Sequence, residues 1–158
     1  MVKEGDTAPD FSLTGVDERG EEREYSKTDF KGKRVILYFY PKDNTPGCTQ
    51  EACDFRESMN RLLSYGVAVL GVSPDSVASH RRFQEKQGLN FPLLSDPDRS
   101  VAEQYGAYGE KKMYGKTSMG IIRSTFIIGG DGTIEKAWTK VKAKGHVEEV
   151  LKTLDGGD

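Results

Sequence analysis

Apolar residues in this chain fall in short dense runs separated by polar stretches rich in glycine and proline. Val35–Tyr40 (VILYFY) is a β-branched and aromatic run between Gly32-Lys33 and Pro41, the pattern of a buried strand. After the polar PKDNTPG, the segment from Cys48 to about Ser64 repeats apolar residues at helical spacing, at Ala52, Phe55, Met59, Leu62 and Leu63. Val67–Val72 is a second buried-strand pattern, stopped by Ser73-Pro74-Asp75. Asp75 or Ser76 is placed to cap a helix running to about Gln87, with Val77, Phe83 and His80 turned inward. Phe91–Leu94 predicts a short strand, and Asp98–Tyr105 a short helix stopped by Gly106. Residues 106–120 (GAYGEKKMYGKTSMG) are glycine-rich and basic and read as a surface loop. Arg123–Ile128 and Thr133–Val141 flank Gly129-Gly130-Asp131-Gly132 and predict a β-hairpin, and His146–Leu154 predicts a last helix ahead of a frayed Gly156-Gly157-Asp158. A weaker hairpin pattern opens the chain, Phe11–Leu13 with Glu22–Tyr25 around Asp17–Gly20.

This order of elements predicts an α/β fold. The strand–helix–strand unit supplies parallel strands and the hairpin antiparallel ones, giving a central mixed β-sheet flanked by helices, with an N-terminal β-hairpin added. No repeat, low-complexity tract or linker divides the sequence, so residues 1–158 are expected to form one domain. In open α/β sheets, ligands bind beyond the carboxyl ends of the strands, and Cys48 falls in such a turn.

Composition narrows the function. Lys and Arg total 23 against 25 Asp and Glu, a net charge of −2. That balance argues against a nucleic-acid binder and against a polybasic membrane-surface protein. No stretch approaches the roughly 20 apolar residues of a membrane span. The opening MVKEGDTAPDFSL has neither the apolar core of a signal peptide nor the character of a transit peptide, so a cytoplasmic location is expected.

The chain has two cysteines, Cys48 and Cys53, too few for a secreted disulfide scaffold. A cysteine in the first turn of a helix meets unpaired backbone N–H groups and the positive end of the helix dipole, and both favour a thiolate. Nucleophilicity falls as a thiol becomes more acidic, so activation alone does not make a fast enzyme. Charge developing on the leaving atom must also be stabilised. Thr45, three residues before Cys48, offers a hydroxyl that both donates and accepts, and Arg123 is a permanent cation at the start of the hairpin. If that strand lies beside Val35–Tyr40, the guanidinium reaches the turn. Pro41 and Pro46-Gly47 stiffen the loop. Such donors around a sulfur suit displacement at an electrophile whose leaving group becomes an oxyanion. Residues five apart on a helix have Cα atoms roughly 8.7 Å apart. A disulfide needs about 4.4–6.8 Å. A 48–53 disulfide therefore requires the first helical turns to unwind, and a coupled redox and conformational switch is expected.

VILYFY followed by PKDNTPGCTQEACDFR resembles the peroxiredoxins, with the Pro-x-x-x-Thr-x-x-Cys pattern at Pro41, Thr45 and Cys48. The cysteine five positions on narrows the resemblance to the bacterioferritin comigratory protein or peroxiredoxin Q group, and GVSPDSVASHRRF, FPLLSD and RSTFII extend it over nearly the whole chain. The resemblance implies a thioredoxin-like fold and a thiol-dependent peroxidase that reduces hydrogen peroxide and organic hydroperoxides. It implies that Cys48 is the peroxidatic cysteine, that Thr45 and Arg123 orient the peroxide and support the developing charge, and that Pro41 shields the site. It implies that Cys53 resolves the Cys48 sulfenic acid as an intramolecular disulfide, which thioredoxin or a similar dithiol reduces. No metal, flavin or haem is required by that chemistry, and no nucleic acid or membrane partner is expected. A monomer is expected, with a weak dimer as the alternative.

Other residues read as structural. His80 is expected to be a hydrogen-bonded packing residue, Glu51 to complement the helix dipole, and Trp138 to pack. Lys136, Lys140, Lys142 and Lys144 read as a solvated or protected sheet edge. Two other functions remain open on the residues alone. One is a thioredoxin-type thiol–disulfide oxidoreductase, although Cys-x-x-Cys is absent. The other is a non-enzymatic redox sensor.

Overall fold

The structure is a computed structural model that describes residues 2–156; the C-terminal Gly157 and Asp158, expected to fray, lie outside the described residues. Seven strands form one mixed sheet in the order β2-β1-β5-β4-β3-β8-β9. They are β1 (Ser12–Val16), β2 (Glu22–Ser26), β3 (Arg34–Phe39), β4 (Val67–Ser73), β5 (Leu93–Ser95), β8 (Ser124–Ile128) and β9 (Ile134–Trp138). β3 and β5 run parallel to β4, while β8 runs antiparallel to both β3 and β9. Helices α1 (Pro46–Ser64), α2 (Val77–Gln87), α3 (Ser100–Gln104) and α4 (His146–Leu154) pack around this sheet. Among the described residues, no helix is long and apolar enough to cross a membrane.

Alternate residues of the continuous apolar runs serve two cores. Ile36, Tyr38 and Tyr40 face a cluster with Ala52, Phe55 and Leu62 of α1, Phe83 of α2 and Val150 of α4. Val35, Leu37 and Phe39 point the other way, towards Phe11, Tyr25, Val101, Tyr105 and Phe126. A strand covered on both faces has no polar side to alternate with, which is why these segments read as unbroken apolar runs. On α1 the sequence-derived stripe holds except at Leu63, which is 61% exposed. Ser76 caps α2 by accepting from Ser79 N at 3.1 Å, and Gly88 closes it in the left-handed region at φ 60°.

Four sequence-derived boundaries are corrected. Residues 106–120 are not a loop: they are largely a hairpin of β6 (Tyr108–Met113) and β7 (Lys116–Ile121), a separate two-stranded sheet. Its turn places Tyr114 at φ 54° and Gly115 at φ 77°, the paired positive dihedrals of a type I′ turn. Its strands are mostly solvent-exposed, so they lack the apolar alternation that marks a strand in sequence. In the N-terminal hairpin, β1 is Ser12–Val16 rather than Phe11–Leu13, because Val16 pairs with both Glu22 and Leu93 and so ties the hairpin to β5. The helix expected over Asp98–Tyr105 contracts to Ser100–Gln104, with Asp98 Oδ1 accepting from Ser100 N at 3.1 Å. The last strand ends at Trp138 rather than Val141.

The N-terminal hairpin joins the sheet through only two registered pairs to β5, Gly15–Leu94 and Val16–Leu93. A Cβ at Gly15 would lie 2.4 Å from the Leu93 carbonyl oxygen. Gly15→Ala is therefore expected to cost about 1–3 kcal/mol of stability, read as a lowered urea midpoint. An unchanged midpoint would show that the hairpin contributes little to the fold.

Candidate active site

The chain leaves β3 at Phe39, turns through Pro41 and enters α1 with Thr45 as N-cap and Pro46 as the first helical residue. Proline suits that position because its missing N–H would have had no helical partner. Cys48 is thus the third residue of α1, beyond the carboxyl end of β3, and is 2% exposed. Across the sheet, Phe39 pairs with Ser124, so Arg123, just before β8, stands beside the end of β3. Its Nη2 donates to Cys48 Sγ at 3.2 Å and its Nη1 donates to Glu51 Oε1 at 2.5 Å. Gly47 eases this approach, since a Cβ there would lie 3.2 Å from Nη2, a contact that would displace the guanidinium by a few tenths of an ångström. The Thr45 hydroxyl donates to the Lys42 carbonyl at 2.8 Å and retains oxygen lone pairs on the same turn.

Glu51 was read from sequence as a dipole partner, and the structure corrects this. One turn beyond Cys48 it is fully buried, and its Oε2 has no hydrogen-bond partner among the described residues. Burial pushes its carboxyl up to about 7, against the pull of the Arg123 guanidinium. The Tyr38 hydroxyl is likewise buried without a partner, and burial, with the Glu51 charge second, raises it well above the usual phenol range. Behind Arg123, Val141 N donates to its carbonyl at 3.1 Å. His146 Nε2 pairs with Thr125 Oγ1 at 2.8 Å, while Trp138 meets the imidazole edge-on with ring centroids 5.6 Å apart. Burial lowers the His146 pKa.

The 41–45 loop is clamped from α2 and the ends of β4 and β5. Asp43 is 6% exposed: its carboxylate accepts from Tyr40 Oη at 2.6 Å and Ser79 Oγ at 2.8 Å, and lies 2.8 Å from His80 Nδ1. Asp43 N donates to Asp75 Oδ2 at 2.8 Å. His80 is thus a buried, hydrogen-bonded residue, as its inward place on α2 indicates.

The structure brings Cys48 and Arg123 together, places Thr45 on the same turn and sets Pro41 on the wall of an adjoining cavity of about 600 Å³. It does not bring Cys53 to Cys48. Both thiols are free on one unbroken helix, and the half-buried Cys53 donates to Gln87 Oε1 at 3.6 Å. Sequence reasoning missed the partnership of Glu51 with Arg123, for which a carboxylate three positions after the cysteine was the available signal. It also missed the Asp43 clamp, which depends on residues 36 and 37 positions away. Among the described residues, no three His, Cys, Asp or Glu side chains are grouped to hold a metal ion.

A nucleophile-type sulfur under a guanidinium, at a helix start beyond a strand end, agrees with what comparison returns. The sequence profile of the AhpC/TSA family matches residues 4–137. The chain belongs to the AhpC/TSA family. Within it, this peroxiredoxin is of the Bcp/peroxiredoxin Q group. It is 48% identical over 153 residues to peroxiredoxin Bcp of Bacillus subtilis, covering 97% of this chain and 95% of that protein. It is 50% identical over 150 residues to a putative peroxiredoxin of Mycobacterium tuberculosis, covering 95% and 93%. The solved structure of PrxQ from Xylella fastidiosa is similar at a TM-score of 0.90 and 39% identity, covering 99% of this chain and 97% of that one. The bacterioferritin comigratory protein of Xanthomonas campestris, whose structure is described in terms of alkyl peroxide reduction activity, is similar at a TM-score of 0.83 and 40% identity, covering 91% and 90%. The expected thioredoxin-like α/β fold is therefore confirmed, and the peroxiredoxin is a thiol peroxidase carrying two cysteines.

The Glu51 carboxyl has a pH consequence. The folded state keeps its proton up to about pH 7, while the unfolded chain loses it near the ordinary 4.5. Folded protein therefore binds more protons between those values, and stability falls as pH rises through that window. The decline from this group is up to about 3 kcal/mol, and Glu51→Gln is expected to remove it from urea unfolding curves taken at several pH values. Equal slopes for wild type and variant would show that the carboxyl stays ionised beside Arg123 throughout.

Proposed function

We propose that this peroxiredoxin is a thioredoxin-dependent peroxidase that reduces hydrogen peroxide to water and organic hydroperoxides to alcohols. Cys48 is its peroxidatic and Cys53 its resolving cysteine. The reading rests above all on the 3.2 Å contact from Arg123 Nη2 to Cys48 Sγ in the first turn of α1. The enzyme acts as a single-domain cytoplasmic monomer; three large apolar residues are exposed among those described, Leu63 on α1 and Tyr114 and Met119 on the β6–β7 hairpin.

In the first step the Cys48 thiolate attacks the terminal peroxide oxygen. An S–O bond forms, the O–O bond breaks, and the alkoxide or hydroxide leaves and takes up a proton. Cys48 becomes a sulfenic acid and the peroxide is reduced. The Arg123 guanidinium is a preorganised donor for the oxygen on which charge develops, and the Thr45 hydroxyl oxygen accepts from the peroxide O–H. Pro41 walls the sulfur from bulk water.

In the second step the Cys53 thiol attacks the sulfenic sulfur, an S–S bond forms and water leaves. The five-residue spacing on one helix requires the first turns of α1 to unwind for this bond to close. Unwinding also releases Cys53 from Gln87 and Cys48 from Arg123. A dithiol of thioredoxin type then attacks the disulfide, passes through a mixed disulfide and leaves oxidised, returning both thiols. Prompt capture by Cys53 guards the sulfenic acid from irreversible oxidation.

One equivalent of hydrogen peroxide added to reduced protein is expected to consume both thiols orders of magnitude faster than it consumes free cysteine. The product is an intact monomer two hydrogens lighter, with reduced helical circular dichroism. Cys53→Ser is expected to lose one thiol and hold a dimedone-reactive sulfenic acid. Thiol loss at the free-cysteine rate would contradict the proposal and favour a thiol–disulfide oxidoreductase or a sensor. Equal helix content in both redox states would contradict the unwinding step.

A further inference from the structure

The active-site mouth carries more positive charge than the steps above use. Lys111, Lys112, Arg123 and Lys140 line the cavity of about 600 Å³, with Glu110 as the acidic side chain on its wall. Four cations thus face one carboxylate in a chain whose net charge is −2. Arg123 is committed to Glu51 and Cys48. Among the described residues, Lys111, Lys112 and Lys140 form no ion pair.

The β6–β7 hairpin is shaped to hold Lys111 at this mouth. Gly109 and Gly120 pair across it. A Cβ at Gly120 would lie 3.1 Å from Lys111 Cδ and 4.0 Å from its Nζ, so the glycine leaves room for the lysine arm to cross the partner strand. A Cβ at Gly109 would lie 3.2 Å from Ile122 Cδ1, and Ile122 is another wall of the cavity. Lys111 is half-buried, and burial first, with the Arg123 charge second, lowers its pKa, while the Cys48 charge raises it. Its side chain, without an ion pair among the described residues, lines the same cavity wall as Arg123, which donates to the Cys48 sulfur. Ile122, Val141 and Pro41 supply apolar wall between the cations.

We propose that Lys111, aided by Lys112 and Lys140, is a specificity-determining residue that draws hydroperoxides bearing a carboxylate into this cavity. The inference rests on the peroxidase reading of Cys48. An anionic substituent replaces the counter-charge that Lys111 lacks, the apolar wall receives the hydrocarbon, and the peroxide group reaches Arg123. A cleft lined by one sign of charge also raises the local concentration of oppositely charged substrate.

The test is single-turnover oxidation of reduced enzyme by 4-(2-hydroperoxypropan-2-yl)benzoate and by its neutral methyl ester, with hydrogen peroxide measured alongside. At low ionic strength the carboxylate is expected to react roughly tenfold faster than the ester, and salt is expected to narrow that ratio. Lys111→Gln is expected to reduce the ratio roughly threefold and Lys140→Gln by a smaller factor. Each variant's carboxylate rate is divided by its own ester rate, so a general loss of folding or of Cys48 reactivity cancels. A wild-type ratio near one, or a ratio unchanged in Lys111→Gln, would overturn the proposal while leaving the peroxidase reading intact. A Lys111→Gln defect confined to re-reduction by thioredoxin would also overturn it and assign the lysines to docking an acidic protein. Oxidation by hydrogen peroxide no faster than that of free cysteine would remove the peroxidase reading and the proposal with it.

Discussion

Arg123 donates one nitrogen to the Cys48 sulfur and another to a carboxylate sealed from solvent, so one guanidinium joins the start of β8 to the first two turns of α1. Taking charge out of water is costly, and here the Arg123 guanidinium is met by the Cys48 sulfur and by one oxygen of the Glu51 carboxyl. Glu51 sits at the bottom of this group with one oxygen unpartnered, and burial holds its proton to about pH 7. Accepting through Oε1, this carboxyl group fixes the orientation of a planar fork of donors. A donor already oriented costs no reorganisation when charge appears on a leaving oxygen.

The fold supplies this alignment through strand neighbours rather than through residues close in sequence. Parallel pairing of β3 with β4 leaves the carboxyl end of β3 free to turn into α1, and antiparallel β8 delivers Arg123 beside that end. Gly47 leaves the space that the guanidinium fills. Asp43 pins the intervening loop to α2 and, through its backbone N–H, to Asp75. The same helix that is held so firmly at its start also carries Cys53. In the proposed reaction the first turn of α1 orients a peroxide, and closing a 48–53 disulfide has to unwind that same turn. Contacts such as Cys53 with Gln87 and Arg56 Nη1 with the Gln87 carbonyl at 2.5 Å hold α1 to the C-terminal end of α2, so they weigh on the same equilibrium.

Much of this could be read from the chain. The buried parallel strands announce themselves because a strand covered on both faces has to be apolar throughout, and α1 and α4 show the helical period they need to cover one face of the sheet. Thr45 and Cys48 were legible because they lie within a single turn, and Arg123 because a family pattern marks it. What stayed hidden depends on charge and exposure. The β6–β7 hairpin buries little, so no apolar alternation betrays it, and the available sign in the sequence was Gly115, which the turn uses at positive φ. Glu51 looked like any acid near a helix start, because whether a carboxylate is solvated or sealed under an arginine is decided by β8, far along the chain.

The central claim is that Arg123 lowers the barrier by meeting the leaving oxygen, beyond any effect on the thiolate. The most direct measurement compares wild type with Arg123→Met in two reactions of Cys48: oxidation by hydrogen peroxide, and alkylation by iodoacetamide, whose leaving atom is iodide rather than oxygen. The account predicts that peroxide oxidation slows by roughly 10²–10³-fold while alkylation slows by no more than about tenfold. Equal slowing of the two reactions would contradict it, because Arg123 would then act on the sulfur alone.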